Sequence, residues 1–115
     1  MTQESLLKTL EQPITLHQMQ EYVKNVIELR GFAEETPSEC LLMLVEEVGE
    51  LAKAMRKSAG MYIDPTRLEN YDTVQSEVAD VFILLVSLCN AAGIDLHQAV
   101  LEKEKTNSQR QWVQV

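Results

Sequence analysis

The segment "SEVADVFILLVSLCNAAG", residues 76–93, limits the fold more than any other part of the chain. Wound as a helix from Thr73 to Ala92 and stopped at Gly93, it is apolar on every side through "VFILLV" and must be covered on more than one face. Glu77 and Asp80 nonetheless stand three residues apart near its start, where burial penalises charge. A chain of 115 residues has few helices to offer as cover, and a second copy of the chain supplies the remainder most simply. No stretch alternates apolar and polar residues as a half-buried strand does. The expected architecture is all-α: a bundle of about four main helices, its core completed by homodimer or homotetramer formation.

The rest of the chain reads as one domain over residues 1–115, with residues 1–13 as a flexible or short helical arm. Leu6, Leu7 and Leu10 share one side of that arm, and Pro13 stops it. The first long helix starts at Thr15, whose T-x-x-Q spacing to Gln18 forms a capping box. Leu16, Met19, Val23, Val26 and Ile27 then fall on one face, and Gly31 ends it. The second helix opens on "TPSE", with Thr36 as N-cap, Pro37 in the first turn and Glu39 as the return half of a capping box. Its expected core stripe is Leu41, Leu44, Val45, Val48, Leu51, Ala52 and Met55, running to about Lys57 before the loop "SAGMYIDP". The last helix starts at Asp95, with Gln98 three residues on, and reaches about Gln109.

Charge narrows the function. Eighteen acidic residues against ten basic ones give a net charge of −8, which argues against nucleic-acid binding through phosphates. A small anionic ligand is still compatible if metal ions provide the positive charge. Cys40 and Cys89 form no metal or redox spacing and read as small hydrophobes in a reducing cytosol. The start "MTQESLLKTLEQP" lacks the features of a signal peptide, and the longest apolar run is interrupted by Asp80. The expectation is a soluble cytoplasmic protein with no membrane span.

A helical wheel separates the acids. Glu47 and Glu50 share a stripe with Met43 and Ala54 along the Leu51 edge of the core, whereas Glu46 points to the wet side with Lys53 and Lys57. Glu77 and Asp80 share a stripe with Thr73, Leu84 and Ala91. Residues three apart are surface neighbours, so each helix presents a pair of carboxylates that repel and resist desolvation. A divalent cation resolves both problems. Oxygen-only ligands suit Mg²⁺ or Mn²⁺, and neither His17 nor His97 stands at the Glu-x-x-His spacing of di-iron bundles. On the last helix Leu96, Val100, Lys103, Asn107 and Arg110 follow one stripe, so its end presents a cation, an amide and a guanidinium together. Carboxylates with Lys and Arg are the equipment of polyphosphate chemistry. The competing reading gives Glu46 a solvated role, sets Lys103 and Arg110 against a helix C-terminus and leaves Asn107 on the surface. His17 and His97 read as ordinary first-turn residues, and Tyr62 and Tyr71 as either core or ligand contacts.

At these residues the sequence resembles the MazG-like branch of the all-α nucleoside triphosphate pyrophosphohydrolases. The matching signature is Glu46-Glu47-x-x-Glu50, then Glu77-x-x-Asp80, with Lys103, Asn107 and Arg110 in a K-x-x-x-N-x-x-R segment after "GIDL". The resemblance implies catalytic carboxylates at Glu46, Glu47, Glu50, Glu77 and Asp80. Of these, Glu47, Glu50, Glu77 and Asp80 would ligate Mg²⁺, while Glu46 would assist a second ion or orient water. Lys103, Asn107 and Arg110 would hold the phosphates. It also implies a dimer or tetramer that converts nucleoside triphosphates to monophosphate and pyrophosphate. Base recognition is not placed by any motif: Phe32, Phe82, Tyr22, Tyr62, Tyr71 and Trp112 are the aromatic residues at hand. Other substrates within the superfamily are a phosphoribosyl-nucleotide, dUTP or dCTP. A helical dimerisation module with a structural cation is the reading outside it.

Overall fold

Each long helix begins where a side-chain cap satisfies its first amide groups, and a computed structural model describes residues 1–113. Helix α1 covers Gln3–Lys8 behind a Thr2/Ser5 capping box. Helix α2, Leu16–Leu29, starts at the expected box, with Gln18 Nα donating to Thr15 Oγ1 and Thr15 Nα to Gln18 Oε1. Helix α3, Pro37–Ser58, is capped by Thr36, but its box is half-formed. Glu39 Nα donates to Thr36 Oγ1, while the Glu39 carboxylate accepts from the Thr36 hydroxyl instead of the cap amide. A short 3-10 helix, Pro65–Asn70, lies within the following connection. Helix α4 is Val74–Ala92, ended by Gly93 at φ +69°, a left-handed conformation that glycine adopts without a Cβ penalty. Helix α5 is Leu96–Asn107, shorter than expected and capped by Asp95 alone, since the Gln98 side chain turns to Glu102. No strand occurs among the described residues.

The α3/α4 pair is the centre of the fold, and α2 packs on the other side of α4. Helix α1 leans on α2, and so does α5. Val23, Val26 and Val86 are fully buried where α2 meets α4, joined by Cys40, Ala54 and Cys89. Burial pushes both thiols up, keeping them as small apolar groups. Helix α4 is long and apolar enough to cross a membrane on composition. Here α2 and α3 take two of its faces.

The expected core stripe of α3 is corrected. The residues turned inward are Cys40 and Ala54, with Met43, Leu44, Glu47 and Leu51 half-buried. Leu41, Val45, Val48 and Met55 are instead 49%, 60%, 48% and 51% exposed, with Ala52 exposed between them. The physical reason is that α4 takes the carboxylate-bearing stripe of α3, and the more apolar stripe is left over. Val78 and Leu85 on α4 are exposed in the same way. The cost is visible in the whole surface. At 8694 Å² it exceeds by about 2,300 Å² the area of a typical folded monomer of this mass. The radius of gyration, 17.2 Å, likewise exceeds the ~13 Å expected of this length.

Val86 is fully buried on α4, so Val86→Ala is expected to lower the unfolding free energy by about 2 kcal/mol. Val48→Thr, on the exposed stripe, should change it by less than ~0.5 kcal/mol at dilutions where the chain is a single copy. Urea unfolding of both variants checks the contrast.

Candidate metal centre

The pairing of α3 with α4 turns two separate sequence motifs into one site. Glu47 comes from the inward stripe of α3, and Glu77 and Asp80 come from the first turns of α4. One oxygen from each lies within 4.8 Å of the other two. Burial grades across the trio: Asp80 is exposed, Glu47 half-buried and Glu77 only 6% exposed. Glu77 Oε2 is buried with no hydrogen-bond partner among the described residues. Burial raises the Glu77 pKa first of all, and Glu47, Asp80 and Asp72 add to it through their negative charge. An unpaired buried carboxylate oxygen facing two more carboxylates is a costly arrangement unless a cation completes it. The all-oxygen donor set fits a hard divalent ion.

The remaining expected residues are not equivalent. Glu50 lies at the rim, 3.5 Å from Lys53 Nζ and outside the three-acid group. Glu46 is exposed and also outside it. Lys103, Asn107 and Arg110 belong to α5 and the turn after it, which pack against α2 rather than along α3. Asn107 Nδ2 donates to Glu104, and the Arg110 guanidinium lies 4.5 Å over the Trp112 ring. Neither Lys103 nor Arg110 pairs with an acid of the trio among the described residues.

Two contacts escape the sequence. Lys53, placed on the wet side by the wheel, is half-buried, with its ammonium 4.8 Å over the Tyr71 ring. Lys57 Nζ donates to the Tyr71 carbonyl, so both lysines meet the connection after the 3-10 helix. A 310 Å³ cleft lined by Ala54, Lys57, Ser58, Asp72, Thr73 and Val74 adjoins them. On the other side, a 180 Å³ cavity is lined by Ile27, Phe32, Cys40, Ser87 and Asn90, among others. Cys40 and Ser87 are each seven residues, about 10 Å of helix, from Glu47 and Asp80. The spacing in α4 hints at Ser87, which continues the Asp80 stripe; Phe32 carries no periodic signal because it stands in a turn.

Residues 35–113 match the model of the MazG nucleotide pyrophosphohydrolase domain. The dCTP pyrophosphatase 1 of Mus musculus is 40% identical over 76 residues, covering 64% of this chain and 45% of that protein. The same-named protein of Rattus norvegicus is 38% identical with the same coverage. A dATP/dGTP diphosphohydrolase of Salmonella phage PMBT28 is 35% identical over 83 residues, 72% of this chain and 23% of its own. The chain thus spans less than half the length of these curated relatives.

The buried trio predicts a metal-free penalty. Glu77 holds its proton more tightly folded than unfolded. The stability linked to that proton is full at low pH and lost as pH rises through the folded-state value. In chelator, Glu77→Gln should melt several degrees above wild type at neutral pH, and the gap should close on acidification. Calorimetry showing equal melting at neutral pH would contradict a buried, repelled carboxylate.

Proposed function

This chain belongs to the MazG nucleotide pyrophosphohydrolase domain family, and on that footing we propose a divalent-metal-dependent pyrophosphohydrolase of (deoxy)nucleoside triphosphates. It cleaves the α–β phosphoanhydride to give the monophosphate and pyrophosphate. The observation that carries this reading is the Glu47, Glu77 and Asp80 group with its unpartnered buried oxygen, set between a cavity and a pair of lysines. Glu47, Glu77 and Asp80 would hold the ion, with Glu50 at the rim; Mg²⁺ is the expected occupant and Mn²⁺ its substitute. When bound, it supplies positive charge against the phosphates and acidifies water.

The side chains account for the other requirements. Water adds to the α-phosphorus, the α–β bridging oxygen leaves with pyrophosphate, and the water's proton passes to a carboxylate. Glu50, exposed at the rim beside Lys53 and outside the trio, is the carboxylate placed to take it. Lys53 brings a cation to the same rim without a place in the ion's shell. The Phe32-lined cavity, two turns away, is within a nucleotide's length of the acids and suits a base. The names of the relatives, dCTP pyrophosphatase and dATP/dGTP diphosphohydrolase, support deoxynucleoside triphosphates as the substrate class. The proposal includes cytoplasmic location and a homodimer or homotetramer closed over the exposed α3 and α4 stripes.

Pyrophosphate release from a panel of ribo- and deoxynucleoside triphosphates with Mg²⁺ tests the reaction. Asp80→Asn and Glu50→Gln, folded, should lose activity on the order of 100-fold or more, the scale of one transition-state charge contact. Wild-type rates in both would sink the assignment. Phe32→Ala should raise KM several-fold while leaving kcat nearly unchanged, since stacking on the base acts on ground and transition states alike. An unchanged KM on the preferred nucleotide would remove the base from that cavity.

A further inference from the structure

The polar side chains lining the Phe32 cavity are not equally free to bond a ligand. Asn90 is already engaged: its Nδ2 donates to the Gln20 carbonyl and its Oδ1 accepts from Gln20 Nε2, both at 3.0 Å. Ser87 is buried, and a hydroxyl can donate or accept, so it does not tell one base from another. Lys24 and Glu28 are exposed on α2, where water competes for every bond they could make. Glu35 is different. It is half-buried, and the backbone holds it at the cavity wall. Phe32 Nα donates to the Ile27 carbonyl and Glu35 Nα to the Phe32 carbonyl, a turn that delivers the chain to the Thr36 cap of α3. Glu35 Oε2 lies 4.0 Å from the Cys40 thiol, which is itself buried in the same wall. Burial first, and then the Glu35 charge, raises the pKa of that thiol. The carboxylate is thus turned toward Cys40, and its Oε1 makes no hydrogen bond among the described residues.

A carboxylate accepts hydrogen bonds and donates none. Nucleobases divide on that property. Cytosine, adenine and guanine carry an exocyclic amino group that donates, whereas uracil and thymine carry a carbonyl oxygen where cytosine has its amine. Cytosine and uracil otherwise share a shape, so apolar contact with Phe32 cannot separate them. Opposite Glu35 the amine gains a charge-assisted bond. A carbonyl oxygen there sets two acceptors face to face in a site partly closed to water, and neither finds a proton.

We propose that Glu35 determines base specificity: its carboxylate accepts from the exocyclic amino group of a base lying against Phe32, so uracil and thymine nucleotides are rejected. This rests on the pyrophosphohydrolase reading with the base in the Phe32 cavity, and the experiment keeps the two apart. It compares kcat/KM for dCTP and dUTP with Mg²⁺ in wild type and in Glu35→Gln. Glutamine keeps the shape but offers a donor as well as an acceptor, so it can meet either base. Wild type should favour dCTP on the order of 100-fold, the discrimination of a site built around one substrate N–H. Glu35→Gln should cut that ratio by about ten-fold or more, partly through a gain on dUTP. A merely structural role would lower both rates alike and leave the ratio where it was. An unchanged ratio overturns the proposal, and so does a wild type that takes dUTP as readily as dCTP. No turnover of any nucleotide by the wild type defeats the pyrophosphohydrolase reading instead. Titration calorimetry of dCMP and dUMP then still decides the base. Wild type should bind dCMP about ten-fold tighter or more, and Glu35→Gln should lose the difference. Equal binding of the two by the wild type, or binding of neither, overturns the assignment of Glu35.

Discussion

Everything in this molecule depends on which stripe of α3 meets α4. A helix ordinarily buries its most apolar stripe, and α3 has one in Leu41, Val45, Val48, Ala52 and Met55. It turns the adjoining stripe inward instead, the one that carries Glu47, and α4 answers with Glu77. This choice costs desolvation at Glu77 and leaves apolar surface uncovered. It also creates what neither helix has alone: three carboxylates within reach of one cation, one of them held where solvent does not screen it. The cost inside the chain and the uncovered face outside it have one origin.

The same pairing arranges what surrounds the acids. Antiparallel packing of α3 and α4 puts Lys53, Lys57 and Tyr71 at one end of the shared groove and the Phe32-lined cavity at the other. Helix α5 stands apart from this groove. It is held to α2 by a small polar joint centred on Gln20, and none of its side chains is buried.

Much of the fold was legible in the sequence because helix signals are local. Thr15, Thr36, Thr73 and Asp95 each cap the helix that follows, and Gly93 ends one, since a cap depends on residues three or four apart. The carboxylate pairs were legible as pairs, because Glu47 with Glu50 and Glu77 with Asp80 stand three residues apart on helices. The orientation of α3 was not. Its hydrophobic stripe marks a face to be buried but does not say whether the chain itself or another molecule does the burying. Lys53 was misplaced for a related reason: a wheel assigns an angle to a side chain, and the long Lys stem reaches across that angle to Tyr71. Phe32 lies in a turn, where periodicity carries no information.

The sequence by itself determined the helices, their boundaries to within a few residues, and the pairs of carboxylates, because each of these is a property of neighbours along the chain. Only the tertiary structure decided which acids converge, that Glu50 and Glu46 stand outside the trio, and that α5 packs on α2. Those outcomes rest on contacts between residues thirty or more positions apart. Such contacts are set by how whole faces fit and by what solvent exposure costs, and no local spacing encodes either.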